Sequence, residues 1–222
     1  MTLSERHQQL GATLANDGVP LHYGDQQREY HAALEHAVLM ERSHEGRLIL
    51  IGRDRLAIMH RISTNDLLSI PVGEGKPTIF TNPNARVLDR ATVYVLEDRT
   101  FVVTEPGRGD PLKQYLQRNI FFNDEAQIVD AAADRRQFVL HGASADRVIA
   151  AAYPEAATLP ELGVMECNGV IITRDKPLSG SHWRVFPLVD QALDVWNHLL
   201  KAGTAYGPVS YTHLTLPTNR EV

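Results

Sequence analysis

The clearest alternation of apolar and polar positions in the chain starts at Val87. Val87, Asp89, Ala91, Val93 and Val95 share one face of a period-two strand, and Leu88, Arg90, Thr92, Tyr94 and Leu96 share the other. Before it, Phe80-Thr81-Asn82 runs into Pro83-Asn84, residues that fix φ or bond locally to the backbone. The stretch reads as a strand end, a tight turn and a long strand. Asp89 sits on an otherwise apolar face, where a carboxylate is costly unless it is paired or bonded. It is either a salt-bridged or edge-strand acid, or a site acid that receives a polar ligand.

Other elements follow from the same periodicities. Asp25 can cap a helix that sets Tyr30, Ala33, Leu34, Ala37 and Val38 on one side. Arg47–Ile51 is a short apolar strand stopped by Gly52. Asp54 opens a helix with Leu56, Met59 and Ile62 on its buried stripe. Ile70 to Pro77 is a connection, and Thr78–Thr81 a strand. Glu97-Asp98-Arg99 joins the long strand to Thr100–Thr104 as a hairpin. Asp110 as N-cap and Pro111 at the first helical position start a helix through Asn119. Strands at Ala126–Ala131 and Gln137–His141 come next, then a helix from Ser144 to Tyr153. Val164–Arg174 forms a hairpin turned at Asn168-Gly169, and Arg184–Phe186 a strand. Leu188–Ala202 is an amphipathic helix with Val189, Leu193, Trp196 and Leu200 inward, ended by Gly203. Strands and helices mix without βαβ alternation, so the fold class is α+β with mixed, mostly antiparallel sheets and packed helices.

The chain's 222 residues and 43% hydrophobic content suffice for one large domain or two small ones. A net charge of −5 and scattered Lys and Arg give no nucleic-acid footprint. No segment approaches a membrane span and the N-terminus lacks an apolar signal core, so a cytoplasmic protein is expected. The single cysteine, Cys167, excludes an internal disulfide framework and reads as a small buried residue in a strand. His31 and His36 are five apart and do not share a helix face, so no metal site is expected. Ser179-Gly180-Ser181-His182 places Ser and His adjacent, the wrong geometry for a nucleophile and base on one strand. Phosphate-loop and dinucleotide fingerprints are absent.

Several short motifs, in order, resemble the glycine-cleavage T-protein superfamily of aminomethyltransferases and YgfZ-type folate-binding proteins. They are His22-Tyr23-Gly24-Asp25, Ser43-His44-Glu45-Gly46-Arg47, Ser63-Thr64-Asn65-Asp66, the turn and strand around Asp89, and Leu140-His141-Gly142. The resemblance implies the folate-binding core of that superfamily, lacking its C-terminal β-barrel. Residues 1–46 with 135–208 would form a first, discontinuous subdomain, and 47–134 a second. Val209–Thr218 matches an in-frame translation of a sequencing-library adapter, so 209–222 reads as a non-native tail and the natural protein as continuing beyond Pro208.

The resemblance also implies tetrahydrofolate as ligand, with Asn82, Asp89, Tyr94 and Val103 at positions that match pocket-lining parts of the superfamily. Two departures matter. Where aminomethyltransferases carry two adjacent acids this strand reads Asp89-Arg90, and where they carry a pterin-gripping acid it reads Val185. The expectation is therefore a YgfZ-type tetrahydrofolate-binding accessory protein that supports iron–sulfur cluster assembly or repair, with iron–sulfur proteins as clients. A folate-dependent aminomethyltransferase or C1-transferring demethylase is the second reading.

Overall fold

A computed structural model describes residues 1–177, 179–206 and 209–211, with the backbone alone at 26, 28 and 209–211. The chain divides into two compact units. Met1–Arg42, Arg136–Thr158 and Asp175–Val222 form the first; Ser43–Arg135 and Leu159–Arg174 form the second. The 159–174 segment thus belongs with the second unit rather than with the first subdomain expected from sequence.

Thr2 opens α1 (Leu3–Gln9) with a capping box: its hydroxyl accepts the Glu5 N–H while Glu5 accepts the Thr2 N–H. The short strands β1 (Thr13–Leu14) and β2 (Pro20–His22) pair antiparallel. Next come α2 (Gln26–Glu35) and β3 (Ala37–Glu41) in the first unit. The second unit then runs β4 (Glu45–Ile51), α3 (Arg55–Arg61), β5 (Gly75–Thr81), β6 (Val87–Val95), β7 (Arg99–Pro106), α4 (Gly109–Arg118) and β8 (Gln127–Asp130). The first unit resumes with β9 (Phe138–Gly142) and α5 (Ala145–Ala152). The hairpin β10 (Val164–Cys167) and β11 (Val170–Asp175) follows, its turn set by Asn168 and Gly169 at φ 50° and 80°. Last are β12 (Ser181–Phe186), α6 (Ala192–Gly203) and β13 (Val209–Tyr211).

In the first unit β9 is flanked antiparallel by β3 and β12, and β13 pairs parallel to β3. Period two divides this sheet cleanly. Phe138 and Trp183 belong to the side held by α5 and α6: Phe138 packs edge-on against Trp196 at 5.0 Å, and Trp183 Nε1 donates to Asp146 at 2.7 Å. On the opposite side Val38, Met40 and Val139 pack against Ala32 and Ala33 of α2. α1 is pinned through fully buried His7, whose ring nitrogens lie 2.8 Å from Glu41 and 2.7 Å from the Tyr23 hydroxyl.

In the second unit the sheet order is β5-β6-β7-β4-β8, antiparallel throughout. Its helix-covered face puts Phe80, Ala91, Val93, Val102, Leu48 and Leu50 against Ile58 and Met59 of α3 and Leu112 and Leu116 of α4. Arg47, 1% exposed, ties the entry of β4 to the chain after β8 by donating to the carbonyls of Glu45, Ser43 and Ala132 at 2.6, 3.1 and 3.2 Å.

Four elements differ from the sequence expectations. The helix after Asp25 ends at Glu35, so Ala37 and Val38 are strand residues; Tyr30 and Leu34 are exposed while Ala32 and Ala33 face inward. The helix after β7 begins at Gly109, with Arg108 at the cap rather than Asp110. Val189 lies ahead of α6 and is exposed. Val209–Tyr211, expected to stand outside the fold, pairs through its backbone with Ala37–Leu39, and the rest of the expected adapter tail, 212–222, lies outside the described residues.

α4 is seated by two glycines. β4 bulges between Glu45 and Arg47, and a Cβ on Gly46 would lie 2.7 Å from the Gly109 nitrogen and against the Gly109 Cα and Thr104 Oγ1. Gly46→Ala is expected to push α4 away from β4 and destabilise the protein by about 1–3 kcal/mol. Equal melting midpoints for G46A and wild type in chemical denaturation would contradict this packing.

Candidate functional site

β6 supplies the chemistry of the second unit. Its neighbours share its faces by direct cross-strand pairing: Phe80 lies opposite Asp89, and Thr104 opposite Ala91. Asp89 is therefore on the helix-covered face, 4% exposed. Together with Leu88 it lines a cleft of about 290 Å³ whose other wall is α4, with Arg108, Pro111, Leu112, Gln114, Tyr115 and Arg118. Its Oδ2 is buried and has no hydrogen-bond partner. Burial raises the carboxyl pKa to about 6; the backbone N–H of Arg90, the Arg108 charge and the backbone N–H of Glu105 work against that rise. Arg108 donates to the Leu88 carbonyl, and the Tyr115 hydroxyl donates to the Thr81 carbonyl at 3.2 Å, so both ends of α4's cleft face are tied to the β5–β6 hairpin.

The opposite face of the same sheet carries a different set. Tyr94 pairs with Phe101 and Thr92 with Val103. Tyr94 and Val103 are buried, at 0% and 3% exposure. Arg90 points outward and grips Glu105 Oε1 with two donors, at 2.8 and 2.6 Å. Asn82 belongs to neither face. Its Oδ1 accepts the backbone N–H groups of Asn84 and Arg86, each at 3.0 Å, which closes the hairpin turn with Ala85 at φ 57°. Of the four residues expected to line one pocket, only Tyr94 and Val103 lie on the same sheet face.

Val185, the position where the resemblance expects a pterin-gripping acid, is fully buried opposite Phe138 on the α5 and α6 side of the first unit's sheet. The alternate residues His182 and Arg184 project to the other side. There His182 and His141 bring their Nδ1 atoms to 3.3 Å, and Arg184 Nε lies 2.8 Å from Asp175. Burial lowers the His141 pKa. This polar group was not anticipated from sequence, because only the β9–β12 register joins residues 41 positions apart. Ser181 is spent on structure, accepting the Asp146 N–H and donating to the Gly142 carbonyl. Cys167 closes β10 half-buried rather than in the core.

These two sheet units with their helices have a close structural counterpart. The aminomethyltransferase T of the glycine cleavage system from Bartonella henselae superposes with a TM-score of 0.84 over 96% of this chain and 59% of its own, at 23% identity. That likeness establishes the fold of a T-protein-type α+β protein. The family model described as GCVT N-terminal domain matches residues 3–220, and the chain belongs to that family.

Curated relatives agree. The chain is 25% identical to an aminomethyltransferase of Bordetella petrii over 211 residues, covering 90% of this chain and 58% of that protein. It is 30% identical over 104 residues to an aminomethyltransferase of Streptomyces avermitilis, covering 46% and 28%. A chloroplastic Arabidopsis thaliana protein named as a transferase is 26% identical over 139 residues, covering 63% and 32%. The chain thus spans at most 58% of the length of these relatives. Among the described residues no helix is long and apolar enough to cross a membrane.

The buried Asp89 carboxyl gives a signed pH effect. Its folded pKa lies above the ordinary 3.8, so the folded state holds the proton more tightly and loses stability as pH rises from about 4 through about 6. Asp89→Asn removes that loss. The variant is expected to be more stable than wild type by about 1–3 kcal/mol at pH 8 and equal to it at pH 4. A pH-independent difference between the two denaturation midpoints would contradict the assignment.

Proposed function

We propose that this chain is the folate-handling portion of a one-carbon transfer protein of the aminomethyltransferase type. In this reading tetrahydrofolate binds on the Arg90–Glu105 face of the second unit. This reverses the order of the two functions expected from sequence, because the named relatives are aminomethyltransferases and because of one geometric observation. Glu105 is bonded by the Arg90 side chain, so the face still carries a carboxylate beside the position where the resemblance expects the second acid of the pair.

The chemistry of that carboxylate suits an amine ligand. Glu105 accepts an N–H from the folate, and its charge favours the protonated amine over the neutral one. Tyr94 and Val103 pack beneath this face at 0% and 3% exposure, so in this reading the ligand meets Arg90 and Glu105 at the face's exposed end. Arg90 holds Glu105 in position in the free protein. The pair is exposed, at 74% and 42%, so breaking it for a ligand costs only about 0–1 kcal/mol.

The accessory reading, a cytoplasmic tetrahydrofolate-binding protein with iron–sulfur clients, is favoured by one feature, the cation Arg90 beside that carboxylate. The two readings separate in a donor assay: ammonia release from an aminomethyl-lipoyl donor supports transfer, and folate binding without it supports the accessory role.

Tetrahydrofolate is expected to bind the 222-residue chain saturably in isothermal titration. Glu105→Gln should weaken binding about tenfold or more while leaving the melting curve unchanged. Unaltered affinity in E105Q, or no saturable binding to the wild-type chain, would overturn the placement.

A further inference from the structure

The cleft between β6 and α4 sets one buried, unsatisfied acid against solvent-exposed basic side chains. Asp89 Oδ2, buried with its carboxylate 4% exposed, has no donor. Gln114 and Arg118, on the other wall, are exposed and bond no acceptor among the described residues. Arg108, also exposed, lines the same cleft and donates to the Leu88 carbonyl on its β6 side. A ligand that satisfies the cleft must bring a donor to the acid and an anion to the arginines. An ion of either sign alone leaves half of these groups as they are.

Charge and spacing narrow the class. One carboxylate and two guanidiniums sum to +1, which a ligand of net charge −1 neutralises. Arg108 and Arg118 are ten residues apart on α4, about 15 Å along its axis, a separation that two carboxylates on one molecule bridge better than one. Leu88, Leu112 and Tyr115 give the floor an apolar surface for a short methylene chain. The cleft volume of about 290 Å³ admits an amino acid and excludes a dinucleotide.

We propose that this cleft binds a free acidic α-amino acid, its ammonium on Asp89 and its carboxylates on Arg108 and Arg118. The ammonium supplies the missing donor to Oδ2 and pairs a carboxylate that burial otherwise penalises. The site lies on the sheet face opposite Arg90 and Glu105, and the inference is independent of the folate reading.

L-glutamate is the probe, titrated calorimetrically into the whole chain and followed by amide chemical shifts of Leu88, Asp89 and Tyr115. Saturable binding is expected, weakened about tenfold or more by Asp89→Asn and by Arg118→Gln. Glutarate keeps both carboxylates and lacks the amine, so it should bind wild type at least about tenfold more weakly than glutamate. N-(4-aminobenzoyl)-L-glutamate, whose amine is acylated, should do no better than glutarate. Equal affinity for glutamate and glutarate would make the cleft a plain anion site, and tighter binding of the aminobenzoyl compound a folate-tail subsite; either overturns the proposal. So does the absence of saturable glutamate binding, or a D89N variant that binds as wild type does. Should one substitution disturb folding, the glutarate comparison on unmodified protein decides.

Discussion

Away from a bulge, adjacent residues of a β-strand turn to opposite faces, and in β6 that constraint separates Asp89 from Arg90. One acid turns into the helix-covered side of the second unit, where its Oδ2 has no donor and its pKa is raised to about 6. The neighbouring cation turns to the other side and meets Glu105. A tandem pair in sequence thus becomes two separate polar sites on opposite faces of one sheet. Each has its own apolar surroundings: Leu88, Leu112 and Tyr115 for one, Tyr94 and Val103 for the other.

Both sites depend on how the sheet is built around β6. The helix-side cleft exists because α4 is drawn close to β4 where Gly46 meets Gly109 and no side chain intervenes. Tyr115 and Arg108 then fasten the helix to the β5–β6 hairpin. The other face depends on register: the tight Glu97–Asp98 turn sets β7 against β6 so that Thr104 opposes Ala91 and Glu105 comes within reach of the Arg90 side chain. A slip by one residue would send Glu105 to the helix side and leave Arg90 unpaired.

Much of this was legible in the sequence. The alternation from Val87, the Asn168-Gly169 turn and the apolar run Arg47–Ile51 each fix an element through local stereochemistry. The anomaly of Asp89 on an apolar face was also visible before any coordinates. What could not be read locally is long-range pairing. β3 hides behind α2 because Ala37 and Val38 extend the helical period of the residues before them, and only pairing with β9 makes them a strand. Glu105 was missed because a strand-end acid gains meaning only from its cross-strand partner. The His141–His182 pair was invisible for the same reason. The turn role of Asn82 was legible in its place before Pro83-Asn84, and its Oδ1 accepts the Asn84 and Arg86 N–H groups there.

The division of labour between the two faces of β6 is tested most directly by a crystal structure of the chain with tetrahydrofolate. The prediction is density for the folate on the Arg90–Glu105 face, with a folate nitrogen within hydrogen-bond reach of Glu105 and the Asp89 cleft free of it. Density for the pterin against Asp89 and α4, with the Arg90–Glu105 pair undisturbed, would contradict it.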